Sequence, residues 1–536
     1  MFTDVEHLRT LPPADVLVVG SGPAGLSCAL ELRRLGATVV LLESGGRRAA
    51  RSPLNEVVAT GLPFLGAMTG RARGFGGTGE RWSGQCLPLE DADVTGRSWV
   101  PDGDWPLELA DLRTWQARAA DVLGVADATF GLADLDRAAG HDAVTVGEAL
   151  GRGDLDVRVL HHSPHPRLGH VARKDVAADP GLHVVVGATA VEVLVRAGRA
   201  AGVRARDGAG AEWSVPAGAT VLAGGTLENA RLLLASGSGP DGPAGLGGGS
   251  GHLGAGLQDH PVWELGEVTG PDPRLTSFFQ ASTHGDHLVR PKLTLSADAQ
   301  QRGGLLDAVA DLQVVHGPRS PVGAAKRIAE ALRQGRVPES FGPELLRLAT
   351  GAGAIVREAQ HRRRGLAAPP DADSRLVLRV QTEQPPTGPS RLRLSGRRDA
   401  LGLPMLEVDW QVGAEEHRAA VTAAHALTGA LTGAGLAQVR LVPWLDDRRA
   451  FAGAAADYYH HAGTTRMSRR PEDGVVDPDL AVHGVAGLHV VGGSVFPSSG
   501  YANPTLTVVA LALRLATHLA GADAARSSAT DPAATP

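Results

Sequence analysis

The stretch from Asp15 to Ser44, DVLVVGSGPAGLSCALELRRLGATVVLLES, constrains this chain more than any other. An apolar run leads into Gly20-x-Gly22-x-x-Gly25, and an amphipathic segment, a second apolar run and Glu43 follow. That order predicts strand, helix and parallel strand in one βαβ unit. Gly20 permits the tight turn. Gly22, followed by Pro23 and Ala24, lets a pyrophosphate approach the backbone at the helix N-terminus, and Gly25 lets helix and strand pack closely. Glu43 ends the second strand, where a carboxylate can accept hydrogen bonds from ribose hydroxyls. The unit predicts a dinucleotide site. Both FAD and NAD bring an ADP half to such a fold, so this unit alone leaves the choice open. No second glycine fingerprint follows a strand elsewhere, which argues for a single nucleotide.

At 536 residues and 43% hydrophobic content the chain can bury two substantial domains. Its 70 glycines and 35 prolines indicate many turns and long loops rather than a helical bundle. A net charge of −6 excludes a basic nucleic-acid surface, and Arg362-Arg363-Arg364 is expected as a solvated face. The two cysteines, Cys28 and Cys86, have neither metal-site nor disulfide-framework spacing and fit a reducing, cytoplasmic setting. The N-terminus lacks a secretory pattern. Leu506 to Ala520, interrupted by Arg514 and His518, is too short to span a bilayer and reads as a buried helix. His161, His162, His165 and His170 are expected in a polar loop rather than at a metal, and no metal site is expected elsewhere.

Along the chain, Gly70 to Trp105 shows little periodicity, Leu182 to Asp207 partly alternates as strands do, and Ala217 to Leu234 reads as strand, Gly224-Gly225 and helix. Ser236 to Gly256 is a Gly, Ser and Pro-rich loop. His260 to Leu441 mixes short strands with helical stretches at Ala324 to Gln334 and Ala414 to Gly433. The expected class is α/β: a Rossmann-like domain built from discontinuous segments, with an inserted α+β domain for substrate. The expected boundaries are 1–100, 181–259 and 455–523 for the nucleotide domain, with 101–180 and 260–454 mostly substrate domain and connections. Residues 524–536 are expected as a disordered tail.

GSGPAG with Glu43, RGFGGTGERWSG, VLAGGTLENARLLLASG, GLQDHP, YYHHAGTTRM and GYANPTLTVVALALR occur in that order. Together they resemble the glucose-methanol-choline (GMC) oxidoreductases, FAD-dependent enzymes that oxidise alcohols, and the C-terminal run is most similar to the pyranose-oxidase and sugar-dehydrogenase side of that family. The resemblance implies FAD, and a histidine base three residues before the glycine of an H-x-x-G-T turn. That position is His460. It implies a His or Asn partner before the final helix, here Asn503. A neutral imidazole suits removal of a hydroxyl proton, and an amide can hold the same oxygen without competing for that proton. His461 is expected to face away and pack.

The resemblance also implies that Gly76, Gly77 and Thr78 run beside the flavin ring, with Gly492, Gly493, Asn503, Pro504 and Thr505 contacting it. Where many relatives carry an Asp-Ala pair this chain has Gly492-Gly493. Several relatives attach FAD through a histidine in or after the glycine loop, and GGTGERW has none, so FAD is expected to be non-covalent. Asn229 and Arg231 are expected to support the fold, while Arg81 remains open between a surface and a phosphate ion pair. The implied reaction oxidises a CH-OH group of a sugar, cyclitol or glycosylated small molecule, with dioxygen, a quinone or a redox protein as electron acceptor. An aryl, aliphatic or sterol alcohol is the alternative, and a flavin-binding protein without turnover the remote one.

Overall fold

The computed structural model describes residues 1–237, 245–333, 341–363 and 373–529. Its first layer is a six-stranded parallel sheet, in spatial order Phe2–Asp4, Leu182–Val186, Val39–Glu43, Ala14–Val19, Ala217–Leu222 and Leu488–Val490. Parallel strands covered on both faces become near-continuous apolar runs, and Val39–Glu43, VVLLE, is buried at every position. The helix Pro23–Arg34 leaves the central strand with proline at its first turn, where the missing N–H has no helical partner to lose. It packs against the final helix Thr505–Ala529. Chain ends and middle thus meet in one layer.

The second layer is antiparallel. Its path runs Gln438–Leu441, Val262–Thr269, Ser374–Thr382, Ala308–His316, His287–Leu295, Leu155–His162 and Gln85–Cys86, with Ser282–His284 paired to His287–Leu295. The helix Ala414–Gly433 lies on it through a face of Ala419, Ala420, Ala423, Ala424, Leu427 and Leu431. Trp263 and Phe451 stack beneath at 4.3 Å between centroids. The class is therefore α/β with a Rossmann-like parallel sheet assembled from discontinuous segments, beside an antiparallel sheet with its own helices.

Several local readings differ in detail. Arg391–Arg398 and Pro404–Asp409 form a small sheet with Val57–Ala59, and Asp399 from their turn bonds Arg231 on the nucleotide side. Residues expected on the substrate side therefore wall the nucleotide layer. Likewise the helix Leu109–Val122 packs on the final helix. His161 and His162 stand on a strand and His170 on a helix, not in one loop. The final helix continues to Ala529, into the segment expected as a disordered tail, and residues 530–536 lie outside the described residues. So do 238–244 of the glycine-rich loop, Gln334 and Arg364, with the side chains of Arg362 and Arg363. Among the described residues no helix is long and apolar enough to cross a membrane.

One buried ion cluster joins the layers. Arg97 makes a bidentate pair with Glu383, at 2.5 and 2.8 Å, and lies 3.2 Å from Asp93. Asp307 adjoins them through its backbone N–H to Glu383 at 2.7 Å. Removing one member of such a cluster leaves charges without compensation. Burial, with the neighbouring carboxylates, raises Asp93 to about 7 from 3.8. Between those values the folded chain holds a proton that the unfolded chain has released, so this group's contribution to stability falls as pH rises through about 7. Arg97→Leu is expected to lose about 3–5 kcal/mol near pH 8. Denaturant unfolding should show that deficit shrinking toward about pH 5, as the stranded carboxylates take up protons.

Candidate active site

Between the parallel sheet and the small sheet lies a cleft with an empty volume of 1410 Å³, open mouth included. Gly20, Gly22, Pro23, Ala24, Glu43, Gly77, Thr78, Gly492, Gly493, Pro504 and Thr505 all line it. Gly76 stands just behind, its N–H donating to Ser21 Oγ at 3.3 Å.

A Cβ on Gly25 would lie 1.8 Å from the Gly20 carbonyl oxygen, so only glycine permits this helix to meet its strand. A Cβ on Gly22 would meet nothing within 4 Å, which leaves the helix N-terminus open to a phosphate. Gly77, at φ +55°, would place a Cβ 2.9 Å from Gly22 Cα, so two glycine turns touch at the centre of the cleft.

Glu43 is committed internally. Ser21 donates through its N–H at 3.2 Å and its hydroxyl at 2.5 Å, while Gly45 and Gly74 donate backbone N–H groups at 2.8 Å each. The expected ribose acceptor thus also fastens the second glycine loop to the first.

On the opposite wall Arg71 and Arg73 share Glu228 at 2.6 and 3.0 Å, and Arg231 bonds Asp399 at 2.6 Å. Burial would raise the Glu228 carboxyl, but Arg73, Arg71 and Arg231 hold it below the ordinary carboxylate range. With Glu43 on the facing wall the cleft carries three guanidiniums and three carboxylates, so its cationic groups are all matched by protein anions. Asn229 accepts from Gly224 N–H at 2.8 Å and donates to Ser494 Oγ at 3.1 Å, clamping the helix to the C-terminal strand turn. This is structural support.

The predicted pair stands beside the cleft and outside its lining, Asn503 directly preceding the lining residues Pro504 and Thr505. His460 Nε2 and Asn503 Nδ2 are 3.2 Å apart. The other nitrogen of His460, Nδ1, is 2.8 Å from Nδ1 of His260, a residue that sequence reasoning passed over although it stands in the quoted GLQDHP motif. Of those two nitrogens one must carry the hydrogen. His260 Nε2 has the Gly500 carbonyl as its neighbour, short of full hydrogen-bond geometry. With the proton of His260 on Nε2, His460 donates from Nδ1 and keeps the Nε2 lone pair toward Asn503.

Burial pushes the His460 imidazole well below its ordinary value, and His260, His461 and Lys292 add to the effect. His260 is likewise lowered by burial, to about 4. Both rings are neutral near pH 7.

Asp259, fully buried, positions both histidines. Its Oδ1 accepts from the N–H groups of His260 at 2.6 Å and His460 at 2.8 Å, and Oδ2 accepts from Tyr459 N–H at 3.2 Å. His461 points the other way. Its ring lies against Phe64 at 4.8 Å, its Nε2 is 3.7 Å from Asp259 Oδ2, and burial lowers it to about 3. No hydrogen-bond partner meets that nitrogen among the described residues.

The wall beyond His460 is charged. Tyr458 sets its ring edge-on to His460 at 5.0 Å, and Arg379 stacks on Tyr458 at 5.2 Å. Arg379 bonds Asp311 at 3.0 Å, and Lys292 bonds the same carboxylate at 2.6 Å. In register Arg158, Lys292, Asp311 and Arg379 form one row across four strands. Beside Arg379 opens a second cleft containing Glu264, Gln313, Arg375 and Arg440.

Three family models match this chain: FAD binding domain over residues 15–53, and GMC oxidoreductase over residues 171–262 and again over 386–512. The 6'''-hydroxyparomomycin C oxidase of Streptomyces lividus is 25% identical, over 95% of this chain and 93% of that one. A C-glycoside 3-oxidase of Microbacterium trichothecenolyticum is 46% identical across 14% of this chain and 15% of its own length. The solved FAD-dependent oxidoreductase from Chaetomium thermophilum aligns at TM-score 0.61 with 17% identity, over 96% of this chain and all of that one. The match of both GMC models in their expected order, on a fold with a glycine-lined cleft, places this chain in the GMC oxidoreductase family as an FAD-dependent oxidoreductase.

Proposed function

We propose that the chain oxidises a CH-OH group of a polyhydroxylated molecule, a sugar, cyclitol or glycoside, with His460 as base and Asn503 as orienting partner. The observation carrying this reading is the charged row of Lys292, Asp311 and Arg379 reached from His460 through Tyr458. Several hydroxyls need several donors and acceptors, which this wall has. An aryl, aliphatic or sterol alcohol calls for a continuous apolar wall instead. The names of the aminoglycoside and C-glycoside oxidases agree with a sugar-like substrate.

FAD, when bound, supplies an acceptor for the hydride that leaves carbon. The residues supply the rest. A hydroxyl entering between His460 Nε2 and Asn503 Nδ2 donates its hydrogen to the lone pair and accepts one from the amide. As the hydride leaves, the proton passes to His460 Nε2, and the positive charge is shared through Nδ1 with His260. Asp259 fixes the backbone on which both rings stand, so the donor and acceptor atoms are aligned before substrate arrives. Attachment of FAD is non-covalent in this reading: among the described residues lining the cleft there is no His, Cys or Tyr to form the bond.

Anaerobic mixing of the purified protein with sugars, aminocyclitols and simple alcohols tests the whole reading, since bleaching of oxidised-flavin absorbance is expected with polyols. No bleaching with any hydroxyl compound would overturn it; repeating productive cases in air with peroxide detection separates oxidase from dehydrogenase. Replacing His460 by Ala is expected to lower the rate of flavin reduction by about 10²–10⁴-fold with flavin content unchanged. Because burial holds His460 well below the ordinary imidazole range, kcat/KM is expected to stay flat through neutrality and to fall only on the acid side of that range. Acid precipitation should leave the flavin in the supernatant.

A further inference from the structure

Ser282–His284 and His287–Leu295 form a tight hairpin turning on Gly285 and Asp286, with Gly285 at φ +59°. The turn pairs His284 with His287, and their rings stand 5.3 Å apart. Asp127, from the loop between helices Leu109–Val122 and Leu132–Ala139, brings Oδ2 to 3.0 Å from His284 Nε2. One donor atom each of Asp127, His284 and His287 lies within 4.8 Å of the others. The histidine side chains are only 7% and 3% exposed, whereas Asp127 and Asp286 are 67% and 77% exposed. Two buried nitrogens thus sit below a rim of solvated carboxylates. None of these residues lines the cofactor cleft.

The hydrogen bonds behind this hairpin turn one imidazole nitrogen of His287 toward its rim. Asp134 accepts from Thr129 N–H, Thr129 Oγ1 and Phe130 N–H, so it is an ionised acceptor. His161 Nε2, at 2.8 Å from Asp134 Oδ2, must therefore carry hydrogen. Its Nδ1 then accepts from His287 Nε2 at 2.7 Å. That leaves the His287 Nδ1 lone pair 3.1 Å from Asp286 Oδ1. Two acceptors face each other, and a positive ion between them resolves the conflict. A proton on Nδ1 would do so, and so would a metal.

We propose that Asp127, His284 and His287 bind a divalent ion of the zinc class, with Asp286 or water as fourth ligand. Imidazole with carboxylate is a set that suits zinc, and four ligands complete its tetrahedron. Metal-bound histidines characteristically donate their other N–H to a hydrogen-bonded partner, and here His287 has the relay through His161 to Asp134. The ion staples the hairpin to the loop carrying Asp127. It acts on the integrity of the antiparallel sheet's edge and is separate from the flavin chemistry.

The test uses flavin-loaded protein stripped with a chelator, desalted, and titrated with zinc chloride while flavin absorbance reports the folded state. Expected are one zinc bound per chain by calorimetry and metal analysis, and an upward shift of the thermal midpoint that magnesium chloride at equal concentration does not give. Asp127→Asn, at an exposed position, should weaken zinc binding at least about tenfold, and His161→Gln about 10–100-fold through the lost relay, both with flavin content unchanged. Failure of the wild type to bind zinc, equal binding by both variants, or an equal shift with magnesium overturns the proposal.

Discussion

The Asp259 carboxylate is the contact on which the rest of this site depends. It gathers three backbone N–H groups, from His260, Tyr459 and His460, in positions about two hundred residues apart in the chain. A buried carboxylate needs such donors to be tolerated, and in satisfying it the chain brings together His460 and His260. Burial and the neighbouring Asp457 raise its pKa to about 7. The same group that locates the site is therefore held near its limit of ionisation.

The glycine-lined cleft is built on a comparable economy of shared groups. Glu43 closes one glycine loop over another with four donors, and Glu228 neutralises two arginines that face the same space. Each carboxylate binds protein first and shapes the wall for an anionic ligand second. The antiparallel sheet repeats this with Asp311 between Lys292 and Arg379. Burial there would raise Asp311, but Lys292 and Arg379 keep it ionised, so the row stays charged and hydrogen-bonding.

Much of this was legible from residues alone because glycine spacing and strand polarity are local facts. Gly20, Gly22 and Gly25 announce their turn within six residues, and Val39–Glu43 reads as a buried strand without knowledge of its partners. His460 and Asn503 were locatable through the ordered motifs around them. His260 was quoted within GLQDHP but carried no local sign of its role, since its ring acts on a residue two hundred positions away. His161 was grouped with its sequence neighbours, whereas a two-residue pleat gives it His287 from a distant hairpin and Asp134 from the helix Leu132–Ala139 instead.

The sequence by itself determined the nucleotide fold, the family and the two residues offered as base and partner, because each rests on short-range steric and chemical requirements that spell out in order. Only the tertiary structure decided which histidine meets His460, how polar the facing wall is, and where Asp127 meets His284. Those outcomes depend on strand register across an antiparallel sheet and on hydrogen bonds between far segments. A shift of one residue in that register would turn Lys292, Asp311 and Arg379 to the other face, and nothing in the linear order of the chain fixes it.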